Sequence, residues 1–142
     1  MNTFVLDPSV AAKWFLPARN EPLSAEALAL LREYAQARVD FIVPDLFYPE
    51  FGNILWKSER RGRVNRKTAD AALQEVAARE FRVYPTAPLI RSAMQLARAY
   101  RRTAYESVYV ALAIETSTQM VTADEKLANS LAGLPVMWLG LV

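Results

Sequence analysis

The chain has 142 residues, of which 53% are hydrophobic and 23% charged, and its formal net charge is +2. This length and composition predict a single globular domain over residues 1–142, large enough to bury a core. There is no cysteine and no histidine, which excludes disulfides, thiolate chemistry, His-ligated zinc and Ser-His-Asp catalysis. Catalysis must therefore rely on carboxylates, hydroxyls, Lys, Arg or a bound ion.

Short apolar runs rich in β-branched and aromatic residues predict five strands, at residues 4–6, 39–43, 81–84, 119–122 and 136–139. Apolar periodicity and terminal residues predict helices at 8–16, 23–37, from about 46 to 61, 65–79, 89–100, 105–116 and 124–131. Strands alternating with helices predict an α/β fold, a three-layer α/β/α domain with a central, mostly parallel five-stranded sheet.

No segment resembles a signal peptide or a membrane span. The longest uninterrupted apolar run covers residues 108–114, far short of the roughly 20 residues that a spanning helix needs. The absence of cysteine fits a reducing compartment. We therefore expect a cytoplasmic protein with no membrane partner.

Four acidic residues stand out by their positions. Asp7 and Asp124 each follow a predicted strand by no more than two residues, and parallel strands bring both to one edge of the sheet. Glu106 opens a helix, and Glu50 lies in the first turns of another. Several carboxylates without histidine are typical of a site for Mg²⁺ or Mn²⁺, which prefer oxygen ligands and activate water for phosphodiester hydrolysis.

Each acid also has a purely structural interpretation. Asp7 and Asp124 stand where a helix N-cap is expected. Thr103 and Glu106 have the spacing of a capping box. Glu50 has no capping role, and its alternative is an ordinary solvated helix residue. Periodicity alone leaves both interpretations open.

Basic residues form two clusters, one around the turn at Gly62 and one before Thr103. Their members are Arg60, Arg61, Arg63, Arg66 and Lys67, and then Arg98, Arg101 and Arg102. Basic groups beside an acidic pocket suit a polyanion whose phosphate must reach a bound metal; a solvated face is the alternative. The three tryptophans (Trp14, Trp56 and Trp138) are interpreted as core or interface residues rather than base-stacking platforms.

Four segments in order resemble the motifs of PIN-domain ribonucleases, especially the VapC-type toxins of type II toxin–antitoxin pairs. They are the LDPSVAAKWF string at 6–15, VPDL at 43–46 with Glu50 and NILWK at 53–57, TAYESVYVALA at 103–113, and VTADEKL at 121–127. The resemblance spans nearly the whole chain, and four motifs in the same order are more specific than any one of them.

The resemblance implies a PIN-like α/β/α domain that cuts RNA with Mg²⁺ or Mn²⁺. The acidic set, catalytic and metal-binding, would be Asp7, Glu50, Glu106 and Asp124. Thr122 and Ser9 would give polar support, and RNA would contact Arg60, Arg61, Arg63, Arg101 and Arg102. The family's third acid is usually Asp, so Glu106 changes the reach of that ligand by one methylene. The implied partners are an RNA substrate, a cognate antitoxin and a second copy of the chain.

Two other functions remain open at this point. One is a regulator with a PIN-like fold that binds RNA or protein without cleaving, and the other is an interaction module whose acids are helix caps. Metal-dependent cleavage separates the enzyme from the regulator. Failure to bind any divalent ion would favour the interaction module.

Overall fold

The computed structural model describes residues 1–142, and the chain is built on one five-stranded sheet. The strands are β1 (Asn2–Leu6), β2 (Val39–Pro44), β3 (Arg82–Tyr84), β4 (Gln119–Thr122) and β5 (Val136–Trp138). Their order is β3-β2-β1-β4-β5, and every neighbouring pair is parallel. The predicted five-stranded sheet is confirmed. Because β1 is the central strand, the residue that follows it lies between the loops that follow β2 and β4.

Seven α-helices surround the sheet. They are α1 (Pro8–Ala12), α2 (Ser24–Ala35), α3 (Phe47–Arg60), α4 (Arg66–Ala78), α5 (Ile90–Tyr100), α6 (Ala104–Glu115) and α7 (Glu125–Ser130). The chain steps from β1 to β2 to β3 in one direction, and from β3 to β4 to β5 in the other. Right-handed crossovers therefore place α1–α4 on one face and α5–α7 on the opposite face. This confirms the three-layer α/β/α arrangement.

The apolar content of β1 and α6 follows from their positions in these layers. Val5 and Leu6 are fully buried, because β1 is hydrogen-bonded on both edges and covered on both faces. The α6 helix packs between α5 and the strands β1, β2 and β4, and every residue from 107 to 113 is buried. A helix enclosed in this way is apolar on all sides rather than on one stripe.

An aromatic cluster fixes the first two helices against the sheet. The Phe41 ring of β2 stacks on Tyr34 of α2 with centroids 5.0 Å apart, and it lies 5.9 Å from Trp14, just beyond α1. The Trp14 indole N–H also donates to the carbonyl of Ala27, at 2.9 Å. These contacts hold the segment that carries Asp7 at a defined position above the sheet.

The helix predicted at residues 8–16 is shorter in the structure and ends at Ala12. Beyond it, the amides of Trp14 and Phe15 bond to carbonyls three residues back, which tightens the chain into turns. Pro17 disfavours helical backbone at the residue before it, so the helix cannot run up to the proline. No helix in the structure is long and apolar enough to cross a membrane.

Candidate active site at the carboxyl edge of the sheet

Asp7 lies at the end of the central strand and does not act as a helix cap. It occupies the N-cap position of α1, but its side chain makes no capping hydrogen bond. Its Oδ2 instead accepts hydrogen bonds from the hydroxyls of Ser9, at 2.8 Å, and Thr122, at 2.6 Å. The capping interpretation is therefore wrong for the Asp7 side chain. This carboxylate belongs to a polar cluster formed by the ends of β1 and β4.

The two hydroxyls are themselves oriented by the backbone that follows β4. The Ser9 Oγ accepts from the amide of Ala123 at 3.2 Å, and the Thr122 Oγ1 accepts from the amide of Asp124 at 3.1 Å. With an N–H donor on each oxygen, each hydroxyl proton points to the Asp7 carboxylate. The structure thus places both predicted supporting residues in contact with Asp7.

Glu50 enters the site from the first turns of α3. Its Oε1 accepts a hydrogen bond of 2.6 Å from the hydroxyl of Tyr109 on α6. Burial raises the pKa of Glu50, and the negative charges of Asp7 and Glu106 raise it further, whereas the Tyr109 bond acts in the opposite direction. Glu50 is therefore not an ordinary solvated glutamate. Its carboxylate shares an electrostatic environment with Asp7 and Glu106.

Tyr109 is a site residue that the sequence analysis missed. The side chain is only 2% exposed, and burial together with Glu50 raises the pKa of its phenol, which therefore stays protonated as a donor. A signal was present in the sequence. A tyrosine within an otherwise apolar helix needs a partner for its hydroxyl once it is buried.

Glu106 and Asp124 have the capping geometry that the sequence allowed. The Thr103 amide donates to Glu106 Oε1 at 3.1 Å, and the Glu106 amide donates to the Thr103 hydroxyl at 3.0 Å, which completes a capping box. Arg102 donates to the other Glu106 oxygen, at 3.3 Å. Asp124 caps α7 by accepting from the amide of Leu127 at 3.1 Å. That bond engages only one of its two carboxylate oxygens.

The electrostatics of the four acids differ accordingly. Burial raises the pKa of Asp7, and the charge of Asp124 adds to this effect, whereas the hydroxyls of Thr122 and Ser9 and the nearby backbone amide of Ser9 lower it. For Glu106, burial alone would raise the pKa, but its bonds to Thr103 and Arg102 hold the pKa below its usual value. Asp7 and Glu50 are thus the two carboxylates whose negative charge is poorly compensated by the protein.

The chemistry of this donor set fits a hard divalent cation. All candidate ligands are oxygen atoms, and neither Asp7 nor Glu50 forms an ion pair with Lys or Arg. A buried carboxylate without a countercharge is costly, and a cation would relieve that cost. In the present side-chain arrangement no three of the acids are placed to ligate one ion jointly. The Glu106 carboxylate, for its part, is turned toward Thr103 and Arg102.

The arginines predicted to contact RNA fall into two groups. Arg63 pairs with Glu21 at 3.3 Å, and Arg102 pairs with Glu106 at the same distance, so both have a role within the fold. The others are exposed and have no ion pair with an acid; they are Arg60, Arg61 and Arg101. This second group presents positive charge to solvent that no acid of the chain compensates.

Trp56 departs from the expectation for the tryptophans. It is 52% exposed on α3, and the Arg60 guanidinium carbon lies 5.7 Å from the centroid of its ring. Trp14 packs against the core and Trp138 is partly buried, so of the two predicted roles, core or interface, only that of an interface residue is left for Trp56. The sequence carried a hint, because the surrounding Asn53, Lys57 and Arg60 are all polar.

Comparison with known proteins identifies the class to which this fold and site belong. The profile of the PIN domain matches residues 4–130 of the chain, so the chain belongs to the PIN-domain family. The resemblance inferred from the four sequence motifs is thereby confirmed.

Individual relatives are of the VapC type. The chain is 28% identical over 132 residues to "Ribonuclease VapC3" of Pyrobaculum aerophilum, covering 92% of this chain and 95% of that protein. The crystal structure of PAE2754 from Pyrobaculum aerophilum is similar in fold, with a TM-score of 0.73, 22% identity and coverage of 99% of this chain and 85% of that chain.

Two further solved structures share the fold at lower identity. The Mycobacterium tuberculosis VapC20, described as a "Sarcin-Ricin loop cleaving toxin", has a TM-score of 0.65 at 19% identity, with 94% of this chain and 96% of that chain covered. The Rickettsia felis VapBC2, solved bound to a DNA fragment from the promoter, has a TM-score of 0.61 at 9% identity, with coverage of 96% and 98%. At these identities the likeness is one of fold.

Proposed function

We propose that this PIN-domain protein is a divalent-metal-dependent endoribonuclease that acts as the toxin of a toxin–antitoxin pair. The observation that carries the proposal is the half-buried Asp7 carboxylate, held by two hydroxyls beside Glu50 and lacking a basic countercharge. Membership of the PIN-domain family and the similarity to a protein named as a ribonuclease support the same function.

Asp7 and Asp124 would hold a Mg²⁺ or Mn²⁺ ion most directly. Asp7 keeps its position through Ser9 and Thr122, and Asp124 has one carboxylate oxygen outside its capping bond. Glu50 would contribute its negative charge from α3 without ligating the ion directly. Glu106 would act from its capping box as an outer-shell carboxylate, which is how this chain accommodates Glu where the family usually has Asp.

The ion supplies two effects when it is bound, a lower pKa of coordinated water and neutralisation of charge on the phosphate. Glu50 would orient the attacking water and accept its proton at Oε2, because Oε1 is engaged by Tyr109. Its raised pKa brings it closer to neutrality, where a general base works best. Since water attacks rather than a ribose 2′-hydroxyl, the products should carry 5′-phosphate and 3′-hydroxyl ends.

The proposed assembly follows the same comparison. The Rickettsia felis VapBC2 structure is that of a toxin–antitoxin complex on DNA, and we propose a cognate antitoxin and a homodimer for this chain as well. A short neighbouring reading frame that encodes a DNA-binding protein, and co-purification of its product with this chain, would support the pairing.

Chelation provides the test of metal dependence. Purified protein stripped with EDTA should lose cleavage of a 5′-labelled RNA, and added Mg²⁺ or Mn²⁺ should restore it, whereas Ca²⁺ should restore little because its coordination is looser. The restored products should have 5′-phosphate ends. Cleavage that persists in excess EDTA would contradict the mechanism, and RNA binding without cleavage under any metal would favour the non-cleaving regulator.

A further inference from the structure

The C-terminal half of α3 carries an exposed aromatic ring surrounded by cations. Trp56 is 52% exposed, with Arg60 against its ring. Lys57, Arg60 and Arg61 alone line an open hollow of about 260 Å³. None of these three cations has an ion pair with an acid. The surface therefore has uncompensated positive charge next to a solvent-facing indole, and neither feature has a role in the fold.

Two cations of this surface, Lys57 and Arg61, continue the helix face on which Glu50 lies, whereas Trp56 points about 120° away from that face and is exposed to solvent. Residues seven and eleven positions apart in a helix point the same way, so Lys57 and Arg61 share the direction of Glu50. At a rise of 1.5 Å per residue they lie about 10 Å and about 16 Å along the axis from it. The cations thus lead away from the candidate active site along one helix.

We propose that Trp56 and the hollow formed by Lys57, Arg60 and Arg61 bind an unpaired stretch of RNA next to the bond that is cut. One base stacks on the Trp56 indole, and its phosphate occupies the hollow. This inference rests on the proposed ribonuclease function and adds how the substrate is held. Base–aromatic stacking is tolerant of sequence, and it requires a base whose face is not already stacked in a duplex.

The lining of the hollow favours RNA over an acidic peptide. An acidic peptide would use only the cations that line the hollow and would leave the neighbouring Trp56 indole without a planar partner. A phosphodiester presents its charge directly in the backbone and places a planar base beside it. The adjacent indole, partly covered by a guanidinium, is the kind of platform on which such a base stacks.

Binding measured without cleavage tests the proposal. In excess EDTA, fluorescence anisotropy would follow a labelled 20-nucleotide single-stranded RNA and the same sequence as a duplex. We expect tighter binding of the single strand, a loss of at least about tenfold in Trp56→Ala, and retention within about threefold in Trp56→Phe. The double variant Lys57→Gln/Arg61→Gln should lower the slope of log affinity against log salt by about 0.7, which corresponds to the one phosphate contact in the hollow.

A matched control removes the same charge elsewhere. Arg32 and Arg91 are exposed on α2 and α5, and Arg32→Gln/Arg91→Gln should keep the wild-type affinity and salt slope. If the control variant lowers the RNA affinity and salt slope as much as Lys57→Gln/Arg61→Gln does, the proposal is overturned, because RNA binding would then depend only on the net charge of the protein. Wild-type affinity in Trp56→Ala would also overturn it.

Failure of the surface and failure of the enzyme are distinguishable. If the wild type cleaves RNA with metal and the α3 variants bind RNA as the wild type does, the proposed role of the surface is wrong and the ribonuclease function stands. If the wild type neither cleaves nor binds RNA, both proposals are contradicted. A Glu-rich peptide that binds the wild type but not Lys57→Gln/Arg61→Gln, with RNA binding equal in the two proteins, would assign the surface to a protein partner instead.

Discussion

Replacing Tyr109 with Phe tests how Glu50 is held. The substitution removes one hydroxyl and keeps the ring, so the buried packing of α6 is retained. It deletes the 2.6 Å bond to Glu50 Oε1, and hydrogen bonds to charged groups contribute about 1.5–3 kcal/mol. Glu50 is only half-buried, so solvent screens part of this and the lower value applies.

The direction of the effect follows from the charge of the acceptor. The Tyr109 hydroxyl stabilises the ionised form of Glu50 and so lowers its pKa. Loss of this hydrogen bond in Tyr109→Phe should therefore raise the pKa of Glu50 further. If Glu50 is the general base, the acidic limb of the pH–rate profile moves to higher pH.

The assay is single-turnover cleavage of 5′-labelled RNA at saturating Mg²⁺ across pH 5 to about 9, where the acidic limb is defined. The control is Tyr105→Phe, because Tyr105 lies on the same helix, is 66% exposed and makes no side-chain hydrogen bond. We expect the control to follow the wild type. A Tyr109→Phe profile that coincides with the wild type, in a protein with an unchanged melting temperature, would refute the role assigned to Glu50 and its tyrosine.

Three further changes have expected outcomes. Because the pKa values of Asp7 and Glu50 are raised in the folded state, their protonated forms stabilise the fold. This stabilisation is complete below the unfolded pKa values of 3.8 and 4.5 and is lost as pH rises through the folded pKa values. Calorimetry of metal-free Asp7→Asn at pH 7 should therefore give a higher melting temperature than the wild type. Glu106→Asp should retain cleavage and Glu106→Gln should lose most of it; equal rates in all three proteins would leave Glu106 as a cap only. The Glu21 side chain is 8% exposed and forms ion pairs with Lys13 and Arg63. Glu21→Ala should therefore lower the free energy of unfolding in urea by about 3 kcal/mol. A decrease of less than about 1 kcal/mol would contradict a stabilising role for these two ion pairs.

The fold was predictable because its signals are local. Runs such as residues 4–6 and 119–122 are apolar on both faces, which is what a covered parallel strand requires, and their alternation with helices leaves few topologies. Asp7 was predictable for the same reason, since any residue directly after the central strand meets the carboxyl edge.

The details of the site were not predictable, because they depend on contacts between distant parts of the chain. Tyr109 reaches Glu50 across 59 positions of sequence; the contact of Thr122 with Asp7, across 115 positions, was expected only from the family resemblance. Capping and metal binding use the same acids at the same helix positions. The sequence therefore does not distinguish Asp7, whose side chain makes no capping hydrogen bond, from Glu106, which lies in a capping box. Nor could it show that Trp56 faces solvent.

The most direct test of the central claim compares cleavage by the wild type and Asp7→Asn. Asn has nearly the shape of Asp and can still accept the Ser9 and Thr122 hydrogen bonds, so the fold and its circular dichroism should be unchanged. It lacks the negative charge that the cation needs. We predict that wild type cleaves RNA with Mg²⁺ and that folded Asp7→Asn is slower by at least about a hundredfold. Equal cleavage by the two proteins would contradict a metal site centred on Asp7.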